Sequence, residues 1–303
     1  MTAPNIGVGE RRLEHPPLPY REELDAAVAA ALAAGAAVRE FYDGASAATY
    51  AKSDGSPVTD ADLAADAIIQ GVLSERFPGV PILSEERQDD LGRLASARCW
   101  IVDPIDGTEQ FIARTGEFDV LGALVEDGRP IVAAGFQPTT GTLVTATRGG
   151  GAWVSQDGAP AQPVRHEAMA ETVRLGTSKW FGAPENDAIV RFVSEQLNTV
   201  PCPVATTGFS PRLLLAPRRI DVMIGVRPGA DQTMASEWDF AVADLVIHEA
   251  GGRVTDLAGR PFKYNKPMPQ NFGGLIAAAD SDAHARVLAA LTLARGSMWT
   301  IAE

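Results

Sequence analysis

The sequence is poor in the residues from which many sites are built. It has two cysteines, Cys99 and Cys202, far apart and in no CxxC spacing. That disfavours a disulfide framework or a cysteine-based zinc site, and makes a reducing cytoplasm the default location. The four histidines, at 15, 166, 248 and 284, show no HExxH spacing, which argues against a histidine-rich metal centre. Long apolar runs are missing too. The longest, Ala26 to Val38, has thirteen residues, mostly alanine, too short and too weakly hydrophobic to span a bilayer. Glu10, Arg11, Arg12 and Glu14 stand where a signal peptide would need its apolar stretch. Basic residues are outnumbered, 26 Lys+Arg against 39 Asp+Glu, for a net charge of −13. Such an excess argues against a protein that grips nucleic-acid phosphates or anionic membranes. It leaves a small anionic substrate open, because bound metal ions reverse the local charge of an acidic site.

What is present is an ordinary globular composition, 46% apolar and 21% charged over 303 residues, enough for a proper core and roughly two domains. Residues 1–19 read as a polar tail with Pro4, Pro16, Pro17 and Pro19. A long helix follows over 22–42, with Leu24, Val28, Leu32, Gly35, Val38 and Phe41 at steps of three or four and Gly44 at its end. A second helix spans 61–76, its buried face marked by Leu63, Ala67, Ile68, Val72 and Leu73, and Pro78-Gly79 stops it. Short strands are expected at VPIL and CWIV. Apolar runs at 118–126, 130–138 and 142–154, split by Asp127-Gly128, Thr140-Gly141 and a glycine triplet, predict an antiparallel meander. Beyond about residue 165 strands alternate with helices at 185–198, 239–250 and 281–294. The expected class is α/β, with an α+β half over 20–165 and an α/β half over 166–303.

Four acidic clusters sit at strand ends or helix starts, where open α/β folds build their sites. Asp103-Pro-Ile-Asp106-Gly-Thr108 follows CWIV. Two carboxylates there can face one point, Pro104 stiffens the turn and Gly107 lets the backbone approach a ligand. Rigid hard oxygens suit Mg²⁺, and a helix starting at Gly107 or Thr108 would turn its N–H groups to a phosphate. The alternative is an Asx turn with Asp106 as a helix cap. Ser84-Glu85-Glu86 follows VPIL, and alone it reads first as an exposed acidic loop. In Asp54–Asp62, Thr59 or Asp60 caps the next helix, or Asp60 serves as a general base. Trp238-Asp239 opens the helix over 239–250, with Asp239 a natural N-cap that keeps lone pairs for a metal. Cys99 and His248 read as packing or surface residues rather than catalysts, and Lys52, Lys179, Arg212, Lys263 and Lys266 as solvated charges by default.

In order along the chain, SPVTDAD, LSEE, WIVDPIDGT and WDFAVADLVIHEAGGRVTD resemble the inositol monophosphatase superfamily of Mg²⁺-dependent phosphomonoesterases, over about residues 22–294. The resemblance implies a five-layer αβαβα sandwich. It implies two or three Mg²⁺ per site: Glu85, Asp103 and the Ile105 carbonyl on the first, Asp103, Asp106 and Asp239 on the second, with Glu85 aiding a third. Asp60 and Thr108 would activate the attacking water, and N–H groups of Gly107 and Thr108 would hold phosphate. Lithium sensitivity is implied, and homodimers are frequent in the family.

SPVTDAD, LSEE and Thr115-Gly-Glu-Phe118 further resemble the 3′(2′),5′-bisphosphate nucleotidases, which act on adenosine 3′,5′-bisphosphate. Ser178, Gly208, Ser210 and Arg212 would then contact substrate. Two departures stand out: Glu109 replaces the Lys, Arg or Asn usual in that branch, and the stretch 176–180 has no histidine. Inositol phosphate, histidinol phosphate and a pathway-specific sugar or nucleoside phosphate are the alternative substrates. A non-catalytic relative that keeps the fold is the alternative of another class. The expected partner is a small phosphorylated molecule, with neither a nucleic-acid polymer nor a membrane.

Overall fold

In the computed structural model, which describes residues 18–44, 47–52, 55–164, 172–178, 184–204, 220–226 and 233–298, the alanine-rich segment is helix α1 (Arg21–Asp43). Leu24, Val28, Gly35 and Val38 are buried as expected, joined by Ala26, Ala27, Ala30, Ala31 and Ala34, while Leu32 is 37% exposed, against expectation. Small side chains let the helix approach its neighbours closely. A Cβ added at Gly35 would fall 2.4 Å from a ring carbon of Phe136.

A hairpin of β1 (Thr49–Ala51) and β2 (Pro57–Thr59) leads into α2 (Asp60–Arg76). The expected buried face of α2 holds at Leu73 and, partly buried, at Ile68 and Val72, but fails at Leu63 and Ala67. Leu63 is 47% exposed, and the inward positions are Ala61, Asp62, Ala65, Asp66, Ile69 and Leu73. Two inward acids break the apolar periodicity on which the expectation rested.

Seven strands follow: β3 (Ile82–Ser84), β4 (Arg98–Asp106), β5 (Asp119–Glu126), β6 (Arg129–Gln137), β7 (Thr142–Thr147), β8 (Gly151–Gln156) and β9 (Gln162–Pro163), with the short helix α3 (Thr108–Ile112) after β4. They form one sheet in chain order, β3 and β4 parallel and the rest antiparallel. The meander is as expected, because turn signals and apolar runs are local. The strand at CWIV is longer than expected and carries Asp103 and Asp106 within it.

The remaining elements are β10 (Val173–Ser178), α4 (Pro184–Leu197), β11 (Thr199–Val204), β12 (Val222–Val226), β13 (Thr233–Ser236), α5 (Glu237–Glu249), β14 (Arg253–Asp256), β15 (Gln270–Phe272), β16 (Gly274–Ala278) and α6 (Ser281–Met298). A second sheet has the order β11-β10-β12-β16-β14, parallel over its first three strands and antiparallel after them, and β13 pairs with β15.

Three apolar clusters stack these pieces. Trp100, Val102, Val120 and Leu124 on one face of the first sheet pack on α1 and α2. Cys99, Ile101, Leu121 and Ala123 on its other face pack on α5, which also meets Met223, Val254 and Leu275 of the second sheet. Val222, Ile224 and Ile276 on the far face of that sheet meet Val193 of α4 and Val287 and Leu291 of α6. Alternate residues along β4 thus face two different layers. The result is the expected five-layer αβαβα sandwich.

Candidate metal-binding and active site

The site begins with a bulge. Asp103 pairs with Leu121, yet Asp106 pairs with Asp119, so β4 spends three residues where β5 spends two. In a regular strand, residues 103 and 106 would face opposite sides. The extra residue brings Asp106 to the side of Asp103, and Pro104, which has no N–H to donate, is tolerated where the ladder is broken.

The third carboxylate comes from α5. Its N-cap is Ser236, not Asp239 as expected; Asp239 stands at the third helical position, where its Oδ2 accepts from Ser236 N at 2.6 Å. Asp103, Asp106 and Asp239 each offer an oxygen within 4.8 Å of the others. Asp103 is 1% exposed. Its Oδ1 accepts from Ile105 N at 3.1 Å, whereas its Oδ2 is buried with no hydrogen-bond partner among the described residues. An unpaired carboxylate oxygen in an acidic cluster is strongly disfavoured unless a cation or proton joins it. The donor set, all hard oxygen, fits a divalent cation such as Mg²⁺.

Glu85 and Glu86 follow β3 and meet a cation from an unexpected direction. Lys52, beyond β1, places Nζ 2.6 Å from Glu85 Oε1 and 2.8 Å from Glu86 Oε1. Lys52 is therefore part of the site and not the solvated charge expected. Glu85 still presses on the triad electrostatically. Burial, reinforced by Glu85, Asp106 and Asp239, raises the Asp103 carboxyl well above its usual range. Burial and then Glu85 push Asp239 up to about 7. Burial pushes Glu86 up to about 7 as well, against the hydrogen bond from Lys52. Burial pulls the Lys52 ammonium down, but the two glutamates more than reverse this and the net shift is upward.

These acids bind protons more tightly folded than unfolded. Between the ordinary carboxylate range near pH 4 and about pH 7 the folded state holds more protons, so stability of the metal-free protein falls as pH rises through that window. Urea unfolding in EDTA should show the midpoint dropping across it. Added Mg²⁺ should shrink the drop, because the ion replaces the protons. A midpoint in EDTA that does not move between pH 5 and 7 would contradict this electrostatic picture.

The expected pairing of Asp60 with Thr108 is not what the structure brings together. Asp60 is held at the hairpin, its Oδ2 accepting from Ala48 N and its Oδ1 from Tyr50 Oη, both at 3.1 Å. Asp62 reaches Thr108 instead: Thr108 Oγ1 lies 3.0 Å from Asp62 Oδ1 and 3.3 Å from the Ile105 carbonyl. Two residues apart on a helix means opposite sides, so only one of the two acids can face β4. Thr59 is the N-cap, and its N–H donates to Asp62 Oδ2 at 2.8 Å. Asp62 is fully buried, and burial raises its carboxyl above the usual range. The spacing Thr59-x-x-Asp62 is a capping-box signal that would have singled out Asp62 from sequence.

Gly107 has a φ of 101° and caps α3, with a Cβ there meeting the Glu117 carbonyl at 3.1 Å. Thr108 and Glu109 open that helix, and Glu109 is exposed. Ile105 buries its side chain, leaving its carbonyl at the Thr108 hydroxyl. Ser178 ends β10 opposite Val204. Gly208, Ser210 and Arg212 lie outside the described residues, as does Lys179. Cys99 is wholly buried and its thiol is pushed up to about 12 by burial, in keeping with packing.

Sequence reasoning missed a second buried network, which carries no strong motif. Glu237, two residues before Asp239 and 0% exposed, accepts from Asn265 N and Lys266 N and pairs with Lys266 Nζ at 2.8 Å. Arg93 binds Asp89, the Asn265 side chain and the Lys266 carbonyl. The loop after Tyr264 is thereby fastened to the start of α5, and Tyr264 itself is buried, donating to Asp244.

The family model described as "Inositol monophosphatase family" matches residues 20–294. The chain is 33% identical over 248 residues to the 3′(2′),5′-bisphosphate nucleotidase CysQ of Escherichia coli O157:H7, covering 80% of this chain and 93% of that relative. It is 36% identical over 223 residues to a Streptomyces griseus protein named glucose-1-phosphate thymidylyltransferase, covering 73% of this chain and 80% of the relative. Among solved structures, CysQ from Bacteroides thetaiotaomicron, described as a bacterial member of the inositol monophosphatase family, matches with a TM-score of 0.72 at 26% identity, over 86% of this chain and 99% of the other.

Proposed function

The chain belongs to the inositol monophosphatase family, and from that premise we propose how this phosphoric monoester hydrolase works and on what. The carrying observation is the buried Asp103 oxygen, unpaired between Asp106 and Asp239. Those three acids, Glu85 and the Ile105 carbonyl would hold two or three Mg²⁺. When bound, the metal supplies charge neutralisation of the phosphate dianion and a water of lowered pKa.

The chain's own residues do the rest. Asp62 Oδ1 accepts the hydrogen bond of the Thr108 hydroxyl, which turns the Thr108 lone pairs to the attacking water; as that water bonds to phosphorus, its proton passes to Thr108 while the Thr108 proton passes to Asp62. Burial of Asp62 makes it a better proton acceptor than an exposed aspartate. Backbone N–H groups at Gly107 and Thr108 orient the phosphate, and Gly107 keeps that approach free of a side chain. Lys52 supplies positive charge on the hairpin side, at Glu85 and Glu86.

The substrate we favour is adenosine 3′,5′-bisphosphate, cleaved at its 3′-phosphate, supported by the likeness to CysQ over 80% of the chain. Ser178, Gly208, Ser210 and Arg212 are the substrate-side candidates, and lithium is the expected inhibitor. The transferase name of the Streptomyces relative supports no second reading, since the phosphatase family model accounts for residues 20–294. Among the described residues no helix is long and apolar enough to cross a membrane. A cytoplasmic location and a homodimer complete the proposal, to be checked by fractionation and light scattering.

The test of substrate is a panel of adenosine 3′,5′-bisphosphate, inositol 1-phosphate, histidinol phosphate and fructose 1,6-bisphosphate at saturating Mg²⁺. The adenosine compound should lead in kcat/KM by about 10-fold or more, which corresponds to about 1.4 kcal/mol of transition-state preference. If it ranks among the poorest, the nucleotidase assignment is wrong while the phosphatase assignment stands.

A further inference from the structure

Asp66 lies four residues beyond Asp62 on α2, on the same inward face, and is 4% exposed. Its carboxylate receives both ends of the turn that carries Glu85 and Glu86. Ser84 Oγ donates to Oδ1 at 2.6 Å, and Arg87 Nε donates to Oδ2 at 2.6 Å. The Ser84 hydroxyl also accepts from Glu86 N at 3.3 Å, and Arg87 N donates to the Ser84 carbonyl at 3.4 Å. Residues 84–87 thus form a closed turn pinned at both ends by one buried acid, with Lys52 holding the two glutamates.

Helix α2 therefore touches two separate parts of the site. Asp62 fastens Thr108, after β4, and Asp66 fastens the Glu85 turn, after β3. Farther along the same face the residues are apolar, Ile69 and Leu73. A buried carboxylate is unfavourable unless its oxygens are well bonded, and charge-assisted bonds of this length are strong and directional. The clamp consequently restricts where the backbone at Glu85 can sit.

Resting on the metal-dependent reading above, we propose that Asp66 is a positioning residue for Glu85, acting through Ser84 and Arg87 to hold the glutamate where it serves Mg²⁺. Loss of the clamp weakens Mg²⁺ binding and leaves substrate recognition intact.

The experiment is a calorimetric Mg²⁺ titration of the purified full chain, wild type against Asp66→Asn and Arg87→Gln, with steady-state kinetics at saturating Mg²⁺. The Mg²⁺ Kd should rise about 10-fold or more in Asp66→Asn and about 3-fold in Arg87→Gln, whose side chain is 52% exposed. KM for substrate should stay within about twofold of wild type and excess Mg²⁺ should restore kcat, a split that general destabilisation would not produce. If wild type binds Mg²⁺ and both variants bind it within about twofold as well, Asp66 has no positioning role. If Asp66→Asn does not fold, Arg87→Gln decides by itself. A wild type that binds no Mg²⁺ overturns the metal reading and this proposal together.

Discussion

Asp103→Asn should abolish turnover and, at the same time, stabilise the metal-free protein. The expected loss in kcat/KM is about 10³-fold or more, equivalent to about 4 kcal/mol of transition-state stabilisation. Asp103 is the most buried of the three clustered acids, and an amide in its place would not carry the charge that a divalent cation needs. The stability change has the opposite sign. In the metal-free protein the Asp103 carboxyl is buried among Glu85, Asp106 and Asp239, and one of its oxygens is unpaired. Asparagine keeps an oxygen for Ile105 N while removing the charge, so unfolding in EDTA should shift upward by about 2–4 °C, the effect of about 1 kcal/mol. Such a trade of stability for activity is expected of a site assembled from mutually repelling groups. Mg²⁺ should raise the unfolding temperature of wild type and leave that of the variant almost unchanged. Robust phosphate release by Asp103→Asn, or by wild type in EDTA, would sink the mechanism.

The second large effect separates two neighbouring acids. Asp62→Asn should lower kcat by about 10²- to 10³-fold with little change in KM, because the group acts on the attacking water rather than on the bound ester. Asp60→Asn should stay within a few-fold of wild type, its carboxylate being committed to Ala48 and Tyr50 in the hairpin. Asparagine is the informative replacement at 62. Its carbonyl can still accept from Thr59 N, so the cap of α2 survives, whereas alanine would also cost about 1 kcal/mol of capping. The amide nitrogen would face Thr108 and reverse the sense of that hydrogen bond, leaving the hydroxyl proton only the Ile105 carbonyl, 3.3 Å away, which is no base. Steady-state kinetics of the two variants, side by side with their unfolding midpoints, settle the matter: a large loss at 60 with none at 62 would return the role to Asp60.

The difference between Asp60, expected beside Thr108, and Asp62, found there, is instructive because both lie in one short motif. Sequence marks a helix start there and marks acids in it, but facing is a property of the packed helix. Leu63, which seemed to mark the inner side of α2, points outward, and Asp62 and Asp66 point inward because Thr108, Ser84 and Arg87 wait there. Those partners are 46, 18 and 21 residues away, beyond the reach of any periodicity. The same is true of Lys52, an unremarkable lysine until the hairpin sets it on Glu85 and Glu86.

By itself the sequence determined the strand meander, the helical segments, the acidic motifs and the kind of chemistry they support. Alternation, turn residues and strand-end carboxylates are local features that hold whatever the rest of the chain does. The resemblance had already named Asp103, Asp106 and Asp239 as neighbours; only the tertiary structure decided how they converge and which acid meets Thr108. A one-residue bulge in β4 turns Asp106 toward Asp103, the start of α5 delivers Asp239 from far along the chain, and the packing of α2 selects Asp62 over Asp60. Convergence depends on how layers meet, because like charges are brought together only where the packing of two sheets and the helices between and around them outweighs their repulsion.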